Sequence, residues 1–168
     1  MKRIAVAATL VLWLAPSGSA GPTAAASPCA PETLSAVANL HGTSWMLVGS
    51  ITVRNEGAAP CSLPARPAVG VEWRGKRLGL RRVAFPSGLA LTTWRPVRTL
   101  LPNSTAVVFV AWTSWCGPHR WPSPFRPTLT VASGAGDVAV EVSAPVLTPR
   151  CNVAGGPGSL GSTGFLAP

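Results

Sequence analysis

The stretch SWCGPHRW places Cys116 three positions before His119, and no other pair in the chain looks more like reactive chemistry. Trp-Cys-Gly-Pro is how a dithiol exchanger begins. Such an enzyme needs a second thiol to release the mixed disulfide, and His119 stands in its place. It also needs a strand-to-helix setting that lowers the first thiol's pKa. Pro118, Pro122 and Pro124 work against a helix after Cys116. Read instead as metal ligands, Cys116, His119 and His41 fall short, because zinc takes three or four donors at paired spacings. Nucleophilic serine chemistry fares no better: no serine lies in a Gly-x-Ser-x-Gly elbow. The acids are Glu32, Glu56, Glu72, Asp137 and Glu141. Glu72 and Glu141 fall on the outward phase of strand-like runs, where a carboxylate is a solvated surface group. The chain therefore reads as a non-enzyme, without cofactor or metal. The alternative is a secreted hydrolase or redox enzyme whose site is assembled from scattered residues.

One stretch carries a binding signal. WRGKRLGLRR contains Arg74, Lys76, Arg77, Arg81 and Arg82, with Arg95 and Arg98 following and no acid between Arg74 and Arg98. Gly75 suggests a hairpin whose tip and outer face these charges decorate. The functional reading is attraction to a polyanion, such as an anionic cell-envelope polymer or an acidic lipid surface. Nucleic acid is the poorer partner, since no reader motif accompanies the charge. The competing reading is a solvated surface that guards an edge strand. Trp94 and Trp121, flanked by Arg and Pro, are the aromatic candidates for an exposed recognition patch. Asn103-Ser104-Thr105 fits a glycosylation sequon, although a turn after Pro102 accounts for it.

The elements behind these residues have a period of two. Trp45, Leu47, Gly49, Ile51 and Val53 share one face of a run from Trp45, with Met46, Val48, Ser50, Thr52 and Arg54 on the other, which predicts a strand with a buried face and a partly wet one. Val69, Val71 and Trp73 repeat the pattern, and Leu78 and Leu80 alternate with Arg77, Gly79 and Arg81. Ala106, Val108, Val110 and Trp112 are backed by the apolar Val107, Phe109 and Ala111, so this run is predicted to be central. Leu129 and Val131, then Val138, Val140 and Val142, flank the turn signal ASGAGD. About seven short antiparallel strands describe an all-β sandwich or barrel. PETLSAVANLHG fits a short helix or a first strand equally well, Pro31 suiting a first helical position. The tail GGPGSLGSTGFLAP is Gly-rich, and Leu160 and Phe165 suit a last edge strand.

The first 26 residues resemble a removable export signal. Lys2 and Arg3 precede a short apolar run, and small residues allow cleavage after Ala20 or Ala26. The apolar run is too short to span a bilayer, and Pro28 before Cys29 argues against lipid attachment. Residues 27–168 then form one secreted domain. The chain's net charge is +9, and Lys2 and Arg3 supply two of those charges. Four cysteines in an exported chain point to disulfides.

One of those cysteines sits in ITVRNEGAAPCSLPARPAVGVEW, between two strand-like runs. Asn55 and Gly57 suit the left-handed conformations of a strand-ending turn, and Pro64 and Pro67 keep the chain extended up to Val69. If residues 34–40 form a strand, antiparallel pairing with the run from Trp45 brings Cys29 beside Cys61. The expected bridges are therefore Cys29–Cys61 and, partly by exclusion, Cys116–Cys151.

This arrangement resembles a secreted actinobacterial family, domain of unknown function 4232. Its members show an early Cys, a strand ending in Asn-x-Gly, and Cys-x-Leu-x-Gly-x-Pro-x-Val. A Pro-Gly turn, an Ala-rich strand ending in Trp, and two later cysteines follow. The matching positions are Cys29, Asn55, Gly57, Cys61, Leu63, Pro67, Val69, Pro102, Ala106, Trp112, Cys116 and Cys151. Ala65 and Asn103 stand where the family has Gly. The resemblance spans about residues 29–166 and implies an immunoglobulin-like sandwich, an extracytoplasmic location and no established activity. It supplies no catalytic residue.

Overall fold

The computed structural model describes residues 25–42, 46–73, 75–86, 93–114, 124–125, 128–143, 146–147 and 158–167. Residues 1–24, Trp45, Arg74, Trp115, Cys116, His119, Trp121 and Cys151 lie outside them, and the Cys116–Cys151 expectation with them. No helix among the described residues is long and apolar enough to cross a membrane. A single 3-10 turn, Pro31–Thr33, precedes the first strand, with Pro31 opening it and the Thr33 hydroxyl donating to the Ala30 carbonyl. Every other regular element among the described residues is a strand.

The early strands are β1 (Leu34–Gly42), β2 (Met46–Asn55), β3 (Cys61–Ser62), β4 (Val69–Trp73), β5 (Lys76–Arg77) and β6 (Arg81–Ala84). Then come β7 (Arg95–Pro96), β8 (Thr99–Leu100), β9 (Thr105–Thr113), β10 (Pro124–Phe125) and β11 (Thr128–Ala132). The last are β12 (Asp137–Val142), β13 (Val146–Leu147), β14 (Ser159–Ser162) and β15 (Leu166–Ala167). The main sheet runs β5-β4-β11-β12-β1-β2-β9-β14-β6, while β15 joins β7 to β9 beside it. Two small ribbons, β10–β13 and β3–β8, complete the set. Alternation explains the long members. Along β1, Leu34, Ala36 and Ala38 are buried while Ser35, Val37 and Asn39 are exposed. Segment 34–40 is thus a strand, because a helix would scatter those apolar residues around its circumference.

The two ends of this sheet are β5 and β6, and only residues 78–80 separate them in the chain. Three residues span at most about 14 Å between the flanking Cα atoms, so the sheet must curl until its edges nearly meet. Leu40, Leu47, Val110, Trp112 and Leu160 on one wall face Val69, Val71 and Leu129 on the other across a void of about 10 Å³. That is no more than the space a single water needs, so the two walls of the sandwich are in close contact. Ile51, Val53, Val108 and Val131 are fully buried in this core, each worth roughly 1.5–3 kcal/mol by removal from water.

Pairing departs from expectation in two places. The sheet is mixed rather than wholly antiparallel: β1 runs parallel to β12 and β14 parallel to β6. Both parallel pairs are crossovers, since the segments they join lie far apart in sequence. The tail also does more than cap an edge. Strand β14 lies between β9 and β6, with Leu160 and Phe165 buried. The predicted centrality of β9 is observed, as it pairs with β2, β14 and β15.

The turn before Cys61 differs from its sequence reading. Neither Asn55 nor Gly57 has a positive φ. Asn55 instead ends β2 with its side chain buried, donating to the carbonyls of Ala59 and Leu100 and accepting from the Gly57 amide. Hydrogen bonding, not left-handed backbone, fixes the bend. The positive φ belongs to Asn103, at 60°, in the turn where the resembling family has Gly. Asparagine is the side chain that tolerates this region best.

With the bend fixed, Cys61 reaches Cys29 and the two form a disulfide with a Cα–Cα distance of 4.8 Å. Antiparallel β1–β2 pairing, with Leu34 opposite Asn55, brings them together as expected. The Ser27 and Ser62 carbonyls accept from the Ser62 and Cys29 amides, so residues 27–29 lie against 62 as an extra rung.

Candidate functional site

The basic segment straddles the place where the curled sheet fails to close. Strand β4 turns into β5 through Gly75, whose φ of 72° marks the hairpin expected there. The Leu78 amide then donates to the Val71 carbonyl, and Leu78 and Leu80 pack against the core. The Arg81 amide donates to the Gly158 carbonyl, which docks β6 on β14. Residues 76–77 and 81–82 therefore sit on opposite edges of one sheet, joined by three residues of chain.

These cations are not equivalent. The Arg77 side chain lies across the outer face of β4 and β11, where a Cβ on Gly70 would meet both its guanidinium and the Thr130 hydroxyl. It ends 3.7 Å from the Asp137 carboxylate, each side chain about half exposed. Arg77 is thus a strap over β4, β11 and β12, and Asp137 is the neutralising acid that its position in sequence hid. Arg54 is likewise paired, with Glu56 at 3.5 Å. Lys76, Arg81 and Arg82 are exposed and form no ion pair with a described acid. Arg95 and Arg98 are exposed as well. Arg74 lies outside the described residues.

Below the linker the seam opens into a groove of about 680 Å³, well inside the size range of small-ligand sites. One bank is β6 and its continuation, from Arg82 to Phe85. The other is the segment Arg66–Ala68, which leads into β4. Leu160 and Ser162 of β14 form part of its floor. Arg66 and Arg82 thus face one groove from two banks, and no acid lines it. Arg66 is the residue that the sequence reading missed. Local pattern gives it no distinction, sitting between Pro64 and Pro67; only the curl of the sheet sets it opposite Arg82.

An aromatic group adjoins the groove. Trp94 meets Phe109 edge-on with ring centroids 5.0 Å apart, and Phe85 lies 6.3 Å from the same ring. All three are partly exposed. Trp94 is therefore packed on β9 rather than projecting freely, and Phe85 links the cluster to the groove wall. Glu141 is exposed and Glu72 partly so, as their strand phase predicts. His41 is exposed near the end of β1. Among the described residues, no group of three or more His, Cys, Asp or Glu side chains converges to hold a metal ion. What the site offers is a positively charged, partly apolar slot beside an open strand edge.

No family model, curated protein or solved structure matches this chain.

Proposed function

We propose that this protein is an exported, non-catalytic binding module of the cell envelope that holds an anionic partner at its open seam. The observation that carries the proposal is the convergence of Arg66 and Arg82 on a groove that no acid lines, with Arg81 beside Arg82 in β6, all three exposed and unpaired with described acids. Such a field raises the local concentration of anions. Export is supported by the Cys29–Cys61 bond, which persists in oxidising compartments, together with the leader-like first 26 residues. The cysteine framework supports membership of the domain of unknown function 4232 family and its immunoglobulin-like architecture as the accompanying proposal.

The test is retention on vesicles of phosphatidylglycerol and on isolated envelope at graded salt. Retention at 0.1 M salt is expected to disappear by 1 M, as the screening length falls from about 10 Å to about 3 Å. Changing Arg66, Arg81 and Arg82 together to Ser is expected to abolish it. Arg77→Ser alone is expected to leave it unchanged, since that guanidinium is already engaged with Asp137. Retention indifferent to both salt and the triple substitution would overturn the proposal.

A further inference from the structure

We infer that the groove beside β6 receives an extended peptide whose side chains alternate between acidic and apolar, added to the sheet as one more strand. The inference rests on the binding-module reading above and names the partner that the groove fits. Strand β6 ends the sheet path, and among the described residues it pairs only with β14. All four of its residues are exposed. Because the Arg81 amide donates to Gly158 across the β14 side, the alternation of a strand turns the Arg82 N–H and C=O toward the open edge.

That backbone decides between ligand classes. A purely hydrocarbon occupant would cover the Arg82 amide without satisfying it, which costs free energy. A peptide backbone pairs with it, as in other cases of strand addition to an exposed edge. The side chains then find matching surroundings. Pro67, Val83, Phe85 and Leu160 offer apolar wall, while Arg66 and Arg82 stand on facing banks with no lining acid to compete. A strand's alternate residues point to opposite faces, so an acidic and apolar alternation satisfies arginines and wall together.

The test uses the purified full-length protein and three fluorescein-labelled octapeptides, followed by anisotropy. They are a Glu-Val repeat, the same repeat N-methylated at every second residue, and a Lys-Val repeat. The Glu-Val peptide is expected to bind, the Lys-Val peptide not to bind, and N-methylation to weaken binding at least about tenfold by removing strand hydrogen bonds. Arg82→Pro removes an N–H that faces away from β14, so the native pairing survives while the added strand loses its donor. It is expected to abolish peptide binding, whereas Arg82→Gln, which keeps the amide, only weakens it. Both variants are expected to show the same retention on phosphatidylglycerol vesicles.

Equal peptide binding by the two variants, or by the methylated and plain peptides, would overturn strand addition while leaving anion binding intact. Vesicle retention without any peptide binding would do the same. Absence of both would overturn the binding-module reading as well. A dimer in sedimentation that Arg82→Pro dissolves would mean that a second copy fills the edge, and would also overturn the inference. Thermal melts of both variants check folding, and if Arg82→Pro fails to fold, the methylated peptide decides.

Discussion

Asn55 shows what a single side chain decides here. It is almost wholly buried, yet its amide makes bonds to three separate backbone groups around the bend that precedes Cys61. Its own N–H and C=O tie the same point to the turn of Asn103 and Ser104. Replacing it by the similarly sized Leu removes all three bonds and leaves the Leu100 carbonyl unpartnered in a buried setting. Asn55→Leu is expected to lower stability by about 3 kcal/mol in chemical denaturation, given the usual penalty for unsatisfied buried groups. A loss below about 1 kcal/mol would mean that water replaces the amide. The sequence made this residue conspicuous but suggested the wrong mechanism. Asn-x-Gly fits left-handed backbone and side-chain capping equally, and burial favours the second.

At the level of strands, periodicity was legible and neighbours were not. The alternation in Leu47–Val53 and the two-sided apolar run of Ala106–Trp112 correctly predicted a half-wet strand and a central one. The tail around Leu160 showed only its apolar residues, so its insertion between β9 and β6 could not be read from local pattern. Pairing partners are set by the curl of the sheet, a non-local property. The exception was the first hairpin, where short loops fix register and so bring Cys29 to Cys61 across 32 positions of sequence. Changing both cysteines to Ser is expected to cost about 2–4 kcal/mol, chiefly through the freed unfolded chain. Equilibrium urea unfolding measures this. The Arg66, Arg81 and Arg82 substitutions, which touch no buried group, are expected to shift it by less than about 0.5 kcal/mol each.

For the molecule as a whole, the governing fact is a sheet that nearly closes. Its centre, β2 and β9, is paired on both sides, whereas among the described residues β5 and β6 are each paired on one. Amide hydrogen exchange is therefore expected to be slowest in Ile51, Val53 and Val108 and fastest in Lys76, Arg77 and Arg82, since edges open without global unfolding. Uniform protection across all of these positions would contradict an open seam. The same closure explains why the candidate site was only half legible. The charges of Arg81 and Arg82 are visible in any reading of the chain. The confrontation of Arg82 with Arg66 exists only after two distant edges have been brought around to face each other.

The placement of the disulfide has a mechanical consequence when the chain is pulled. Tension entering from the amino-terminal side reaches Cys29 and passes through the sulfur bond to Cys61. Strands β1 and β2 hang outside that load path as a closed loop. However hard the chain is pulled, the roughly 110 Å of contour stored in those 32 positions stays folded away from the force. In a single-molecule stretching record the unfolding step is expected to lengthen by about that amount when a reductant is added. The half of the sandwich that includes β2 would therefore resist unravelling from its amino-terminal end.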